Sequence, residues 1–388
     1  MVVVTGYGSM SPAGTSPERV EFRYRSGKTA VRPTRVGNEE IWAARLDDEA
    51  ESELQTWAGS LRRHEKLYDR AAILAAAASD CAARHWQPGS SYAVVMGTAR
   101  GAAGLTERYL SEFTPGRRVS PFASPLTTTG GLASLAAAAL SARLGPATTA
   151  FVISQTCVSG LTAVATAAAM IRAGVVERAL AGGAEAPLTP FTVAAVRATG
   201  VYSRRLAGDF PCRPMGGAAD DGMVLGEGAA VFALERARAD VRAMAAILGA
   251  GFGAERPEHL AAMSADGAAL QSAMKTAIAA AGAYPDLVVV HAPGTHSGDA
   301  AELAALRAVW GARPLPMIYA PKWLTGHALG AAPALALELA LLMLQSPHPP
   351  NMPYDVPGNP VSRVRSVMVN AAGFGGAAAS LILGPCPA

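Results

Sequence analysis

The stretch Ala150-Phe151-Val152-Ile153-Ser154-Gln155-Thr156-Cys157-Val158-Ser159-Gly160 takes the chain into a corner and out of it again. Its first five residues read as a strand. From Gly160 the pattern becomes helical and small, through Leu161-Thr162-Ala163-Val164 and Ala167-Ala168-Ala169-Met170-Ile171, and stops at Gly174. Cys157 therefore lies at a helix N-terminus, where N–H groups without intrahelical partners and the helix dipole favour a thiolate. A cysteine so placed is either a buried structural thiol or a nucleophile. The rest of the chain decides between them.

At 388 residues the chain can bury a large core, as two domains or one duplicated unit. Apolar residues make up 51% and charged residues 16%, which excludes a disordered chain. A net charge of +3 is too small for a global nucleic-acid-binding field. Cys81, Cys157, Cys212 and Cys386 show neither CxxC nor zinc-site spacing, and in a chain this long they do not suggest a disulfide framework. The chain enters a strand at Val2 with no basic region or cleavage site of a signal peptide. The most apolar run, 328–344, is interrupted by Pro333 and Glu338 and is too short to span a bilayer. The expectation is a cytoplasmic protein with neither nucleic acid nor membrane as partner.

Taken in order, 2–4 reads as a strand, 68–84 as a helix, 92–96 as a strand and 132–144 as a helix. The strand before Cys157 and its helix follow, then strands at 178–181 and 222–234. Residues between the first strand and 68 read as an irregular polar stretch, and those from 97 to about 131 as a loop rich in Thr, Pro and Gly. The second part has strands at 245–249, 287–291 and 317–320, each followed by a helix (264–281, 299–309, 327–344), and final strands at 367–370 and 379–383. Both parts read β-α-β-α-β-α-β-β, with a break near 239–242. This predicts an α/β fold of mixed sheets covered on both faces, in units 1–240 and 241–388. The helix after 317–320 is then the counterpart of the helix after Cys157. Its start, Lys322-Trp323-Leu324-Thr325-Gly326-His327, should face the same site.

Four histidines, His64, His85, His259 and His348, sit in polar or terminal contexts and read as surface residues. His291 ends the apolar strand Leu287-Val288-Val289-Val290 and begins the loop Ala292-Pro293-Gly294-Thr295-His296-Ser297-Gly298-Asp299. Strand ends and helix starts on one edge of an α/β sheet are where ligand sites form. One such histidine alone reads as a core residue. Two, with Lys322 five positions before the second and Cys157 at the matching corner, read as a site.

Several motifs occur in a fixed order over essentially the whole chain. They are Val2-Val3-Val4-Thr5-Gly6-Tyr7-Gly8, Thr156-Cys157-Val158-Ser159-Gly160, Leu180-Ala181-Gly182-Gly183-Ala184-Glu185 and Gly222-Met223-Val224-Leu225-Gly226-Glu227-Gly228-Ala229. After them come His291 with Gly294-Thr295 and Gly298-Asp299, then Lys322 with Thr325-Gly326-His327 and Gly330-Ala331-Ala332, then Gly373-Phe374-Gly375-Gly376. In these the chain resembles the elongating β-ketoacyl-ACP synthases, the ketosynthases of fatty-acid and polyketide assembly.

The resemblance implies the thiolase fold, with duplicated halves in a five-layered α-β-α-β-α architecture. It implies that Cys157 takes an acyl group from the phosphopantetheine of an acyl carrier protein and passes it to a malonyl-type extender by decarboxylative Claisen condensation. His291 and His327 would hold the extender thioester and stabilise its enolate, with Lys322 positioning them and Thr295, Asp299 and Glu302 as polar partners behind. The N–H groups of Cys157 and Phe374 would form an oxyanion hole, with Phe374 and Gly375 in the gating loop. No metal or resident cofactor is implied. Basic residues Arg62, Arg63, Lys66 and Arg213 would dock the acidic carrier protein. The family is dimeric, as a homodimer or as a heterodimer with a chain-length-factor homologue.

The chain departs from the family pattern at several points. Ala292 replaces a glycine, Pro293 a hydroxyl residue and His296 a proline. Ala336 stands where a glutamate is usual, and Glu338 lies two residues on, on another helix face. Ala372 precedes Gly373 where Phe is common, and Gly145-Pro146 is displaced from the cysteine. The loop 215–221 lacks the usual aromatic-acidic-basic pattern. These changes point to an unusual acyl substrate in a specialised pathway. Two other readings stay open: an acyltransferase or cyclase that uses the acyl-cysteine without elongation, and a non-catalytic chain-length partner. The latter typically lacks the cysteine. A degradative thiolase would need a second cysteine near Gly373–Gly376, which has none.

Overall fold

Strands Tyr92–Gly97 and Arg178–Glu185 are buried at every position, so helices must cover both faces of their sheet. The computed structural model describes residues 1–89, 91–205, 209–217, 221–256 and 263–386. The first half begins with β1 (Val2–Met10), α1 (Pro17–Ser26), β2 (Val31–Val36), β3 (Glu39–Ala44), α2 (Asp48–Gly59) and α3 (Arg70–Ala82). It goes on through β4 (Tyr92–Gly97), α4 (Ala103–Glu112), α5 (Ala123–Thr127), α6 (Gly131–Leu144), β5 (Thr149–Ile153) and α7 (Ser159–Arg172). It ends with β6 (Arg178–Glu185), α8 (Pro190–Ala198), β7 (Leu225–Gly226) and β8 (Gly228–Arg236). The second half holds β9 (Ala245–Ala254), α9 (Ala268–Ala281), β10 (Leu287–Val289), α10 (His296–Trp310) and β11 (Met317–Tyr319). It closes with α11 (Lys322–Thr325), α12 (Ala332–Gln345), β12 (Val367–Gly373) and β13 (Ala377–Gly384).

The large sheet has the order β11-β10-β12-β13-β9-β1-β8-β6-β4-β5. Outward from its middle, the first half gives β1-β8-β6-β4-β5 and the second β9-β13-β12-β10-β11. Each half makes two antiparallel pairings and then two parallel ones. The duplication read from the sequence is thus present strand for strand. The halves join through Val3 opposite Ala246 and Val4 opposite Ala245.

Helices α3 and α6 cover the outer face of one half-sheet, with Leu74, Leu132 and Leu135 against Val94, Met96 and Val231. Helices α9 and α10 do the same for the other, through Leu270, Met274 and Leu306 against Val288 and Ile382. Between the half-sheets lie α7 and α12, whose Leu161, Val164, Ile171, Leu335 and Leu339 share one core with Phe232 and Val369. This is the five-layered thiolase fold. Burial of Leu161 and Ile171 is worth about 1.5–3 kcal/mol each. Helix α12 is apolar nearly all round, as a central helix must be. Among the described residues no helix is long and apolar enough to cross a membrane.

Small residues let the two corners meet. A Cβ on Gly160 would lie 2.8 Å from the Gly330 carbonyl oxygen, and one on Gly183 would lie 2.9 Å from the same atom. The corner bearing Cys157 is therefore pressed against the loop bearing His327.

The structure differs from the expectation in four places. The polar stretch before 68 holds α1, the β2–β3 hairpin and α2. These elements bury few residues each, so their apolar period is faint. The loop before 131 contains α4 and α5. The strand expected at 222–234 is broken at Glu227, which is buried and paired with Arg70 at 2.8 Å. The helix expected to start at His327 starts at Ala332, because Gly326 (φ 61°) and Leu329 (φ 42°) adopt left-handed conformations that no helix continues. His259 and residues 218–220 of the 215–221 loop lie outside the described residues.

Candidate active site

Thr156 has φ 49°, a conformation L-residues seldom adopt, and it turns the chain sharply before Cys157. Ser159 locks the turn: its hydroxyl accepts from the Gln155 N–H at 2.9 Å and lies 2.6 Å from the Thr156 carbonyl oxygen. Cys157 stands just ahead of α7 and is 8% exposed. It lines a cavity of about 390 Å³ together with His291, His327, Phe374 and an apolar wall of Val196, Val201, Met223 and Leu329.

Burial pushes the Cys157 thiol up to about 12, and the Glu185 carboxylate adds to this, while Lys322 and Arg100 pull the other way. This burial opposes the thiolate expected from the helix N-terminus. Desolvation of the charged sulfur works against the field at the corner.

The His291 and His327 rings lie 5.3 Å apart between centroids, at 77°. His327 Nδ1 accepts from the Leu329 N–H at 3.1 Å, which leaves the ring proton on Nε2. Both rings are held well below the ordinary histidine range, by burial first and then by the Lys322 charge. They are neutral hydrogen-bonding groups at neutral pH. Lys322 is buried, its own pKa lowered by desolvation, and its Nζ donates to the His291 carbonyl oxygen.

Glu302 and Asp299 hold the loop after His291 from below. Glu302 accepts from the His291 N–H at 2.9 Å, the Ala292 N–H at 2.6 Å and Asn370 Nδ2 at 3.0 Å. Asp299 accepts from the Gly294 N–H at 3.0 Å and the Met215 N–H at 2.6 Å, and burial raises it to about 7. Neither acid is a surface charge. Thr295 caps α10 by accepting from the Gly298 N–H. Glu338 hydrogen-bonds Ser9 at 3.0 Å rather than Lys322, so the anions facing that lysine come from α10.

The loop between β12 and β13 closes the cavity. A Cβ on Gly373 would overlap Thr156 Oγ1 and lie 3.2 Å from the Cys157 nitrogen. Phe374 lines the cavity and is 43% exposed. Gly375 and Gly376, at φ 84° and 79°, form the turn itself, and Gly375 does not line the cavity. Ala372 does line it.

Other residues expected to be functional lie elsewhere. Arg62, Arg63 and Lys66 are exposed on the turn after α2, where Lys66 donates to the Gly59 carbonyl oxygen at 2.9 Å. Arg213 is half-buried, with its guanidinium over the Tyr354 ring at 4.9 Å. His64, His85, His296 and His348 are exposed. Asn370 and Glu185 were not given roles from the sequence. Glu185 accepts from the Ala99 N–H at 2.7 Å, and from the Arg100 and Gly330 N–H groups and the Thr98 hydroxyl at 3.0 Å each. A lone polar residue ending or interrupting an apolar strand was the available signal for both.

A buried thiol facing two neutral imidazoles across one cavity, in a duplicated thiolase fold, defines a condensing enzyme of the acyltransferase class. Residues 1–240 match the family described as Beta-ketoacyl synthase, N-terminal domain, and residues 244–354 match Beta-ketoacyl synthase, C-terminal domain. The chain belongs to the β-ketoacyl synthase family. It is 30% identical to 3-oxoacyl-[acyl-carrier-protein] synthase 2 of Rhizobium meliloti, over 98% of both chains. A Streptomyces virginiae protein named as a polyketide β-ketoacyl synthase is 28% identical over 98% of this chain and 97% of its own. Among solved structures, the ishigamide ketosynthase/chain length factor superimposes with a TM-score of 0.84 at 27% identity, covering 100% of this chain and 99% of that one.

Proposed function

We propose that Cys157 accepts an acyl group from the phosphopantetheine thioester of an acyl carrier protein and condenses it with a malonyl-type extender in a polyketide or fatty-acid-like pathway. The sulfur attacks the thioester carbonyl, and the carrier thiol leaves with the proton that the Cys157 thiol gives up. The backbone N–H groups of Cys157 and Phe374 stabilise the tetrahedral oxyanion, a contribution of about 3–4 kcal/mol per donor of this type. The extender carboxylate then leaves as CO2, and its electron pair becomes an enolate held by the Nε2–H of His327 and by His291. The enolate carbon attacks the acyl-cysteine carbonyl. A carbon–carbon bond forms, the carbon–sulfur bond breaks, and the released sulfur takes up one proton.

One observation carries this reading: the Cys157 sulfur and two charge-neutral imidazoles share a cavity, with Lys322 buried behind them. Neutral rings donate hydrogen bonds to an enolate without protonating it. We take 1–240 and 241–388 as the two thiolase-like halves, the first bringing the thiol and the second the histidines. The exposed Arg62, Arg63 and Lys66 form the steering surface for an acidic carrier protein, with Arg213 in a lesser part because it is stacked on Tyr354. The functional unit is a dimer, with itself or with a chain-length-factor homologue, working in the cytoplasm. No resident cofactor is required beyond the carrier's own phosphopantetheine.

The test is stoichiometric. Wild-type protein with acyl- and malonyl-ACP releases CO2 in step with β-ketoacyl product, and Cys157→Ala carries no acyl adduct by intact mass. An adduct on that variant overturns the nucleophile. Acyl-enzyme turnover without malonyl consumption replaces elongation by acyl transfer or cyclisation.

A further inference from the structure

Arg100 follows Ala99 on the turn after β4 and lines the same cavity as Cys157. Its backbone is fixed: the Thr98 hydroxyl and the Ala99 and Arg100 N–H groups all go to Glu185, and the Gly101 N–H goes to Thr98 Oγ1 at 3.0 Å. Through Glu185 the turn is also tied to Gly330, beside His327. The side chain is exposed to solvent, and no carboxylate of the described residues lies within ion-pair distance of its guanidinium. The wall of the same cavity includes the apolar Val196, Val201 and Leu329. Among the described lining residues Arg100 carries the one permanent positive charge. That charge lowers the Cys157 thiol in the same sense as the Lys322 charge does, against the larger effect of burial.

An acyl group that enters this cavity meets a guanidinium that no carboxylate of the described residues neutralises. A planar guanidinium with free N–H groups matches a carboxylate, which it binds through two parallel hydrogen bonds. Resting on the acyl-cysteine reading above, we propose that Arg100 selects an acyl group bearing a carboxylate, so that the unit carried on Cys157 is the half-thioester of a short dicarboxylic acid.

Acylation of Cys157 by glutaryl- and pentanoyl-S-pantetheine, two probes of equal chain length, tests this by intact mass against time. Wild type should acylate with the glutaryl probe about tenfold faster or more. Arg100→Met should bring the ratio to unity or below, and Arg100→Lys, a point charge, should keep part of it. Thermal melting establishes that each variant is folded. A wild-type preference for pentanoyl, or an unchanged ratio in Arg100→Met, overturns the inference and leaves the function standing. Equal slowing of both probes assigns Arg100 to the carrier arm and likewise overturns it. A change in oligomeric mass at an unchanged ratio gives Arg100 to a contact with a second copy, which overturns it too. If neither probe acylates Cys157 in wild type, the acyl-cysteine reading fails and takes this inference with it.

Discussion

The Glu302 carboxylate takes the backbone N–H of His291 at 2.9 Å, so this histidine is positioned through its main chain from the helix that follows it. The same carboxylate takes the Ala292 N–H and Asn370, and it is the first anion to oppose the desolvation of Lys322. Glu302→Ala leaves the His291 and Ala292 N–H groups and the Asn370 amide without their acceptor, and removes the first anion that offsets the buried Lys322 charge. The expected cost is about 3 kcal/mol or more in urea unfolding, with Glu302→Gln losing less. Condensation should fall by roughly a hundredfold in both variants that remain folded. Unfolding midpoints equal to wild type would contradict the role given to this carboxylate.

Burial pushes the Cys157 thiol up to about 12. Its alkylation by iodoacetamide in the unacylated protein should therefore rise about tenfold per pH unit from pH 7 to 10. Peptide-resolved mass spectrometry separates it from the exposed Cys386. A plateau below pH 9 would mean that the corner stabilises a thiolate after all.

Glu338 is buried with the Ser9 hydroxyl as its hydrogen-bonding partner, and its pKa is raised from 4.5 to about 8. The folded state therefore holds the proton more tightly than the unfolded chain. This contribution is fully present below pH 4.5 and is lost as pH rises through about 8. Glu185 and Asp299, each raised to about 7, act in the same direction. Glu338→Gln removes one such group, so its stability relative to wild type should improve by up to ~1.4 kcal/mol per pH unit across that window. Urea unfolding at pH 5, 6.5 and 8 reads this out, and parallel curves for the two proteins would refute it.

Ala292 occupies φ 21°, at the edge of the left-handed region that favours glycine. Ala292→Gly relieves that backbone, and the expected outcome is neutral to about 1 kcal/mol stabilising. At an ordinary loop position the same change destabilises. A drop in melting temperature would show that the residue is unstrained.

The repeated strand order was legible because core strands buried on both faces leave unbroken apolar runs. The inserts before 68 were not, since α1 buries Val20 and Tyr24 and α2 buries Ala50 and Leu54 within otherwise charged segments. Cys157, His291, His327 and Lys322 could be assembled from the duplication, because equivalent strand ends must share one edge. The start of α12 was misplaced because alanine and leucine run on through a loop whose left-handed turns leave no compositional trace. The burial of Cys157 is not legible for a related reason: dipole and end effects are local to the corner, whereas the apolar cover comes from Val193, Met223 and Leu329, remote in sequence. Arg100 is a single letter in Thr98-Ala99-Arg100-Gly101, and only the folded wall gives it a context.

In the proposed reaction the thiol comes from one repeat and Lys322 and both imidazoles from the other, so sulfur and enolate meet across the joint between the repeats. Turnover is thus a gauge of how the two halves are aligned. Volume changes where α7 meets α12, well away from the sulfur, should register as lost activity before they register as lost folding, since displacements near 1 Å cost reactions about a hundredfold.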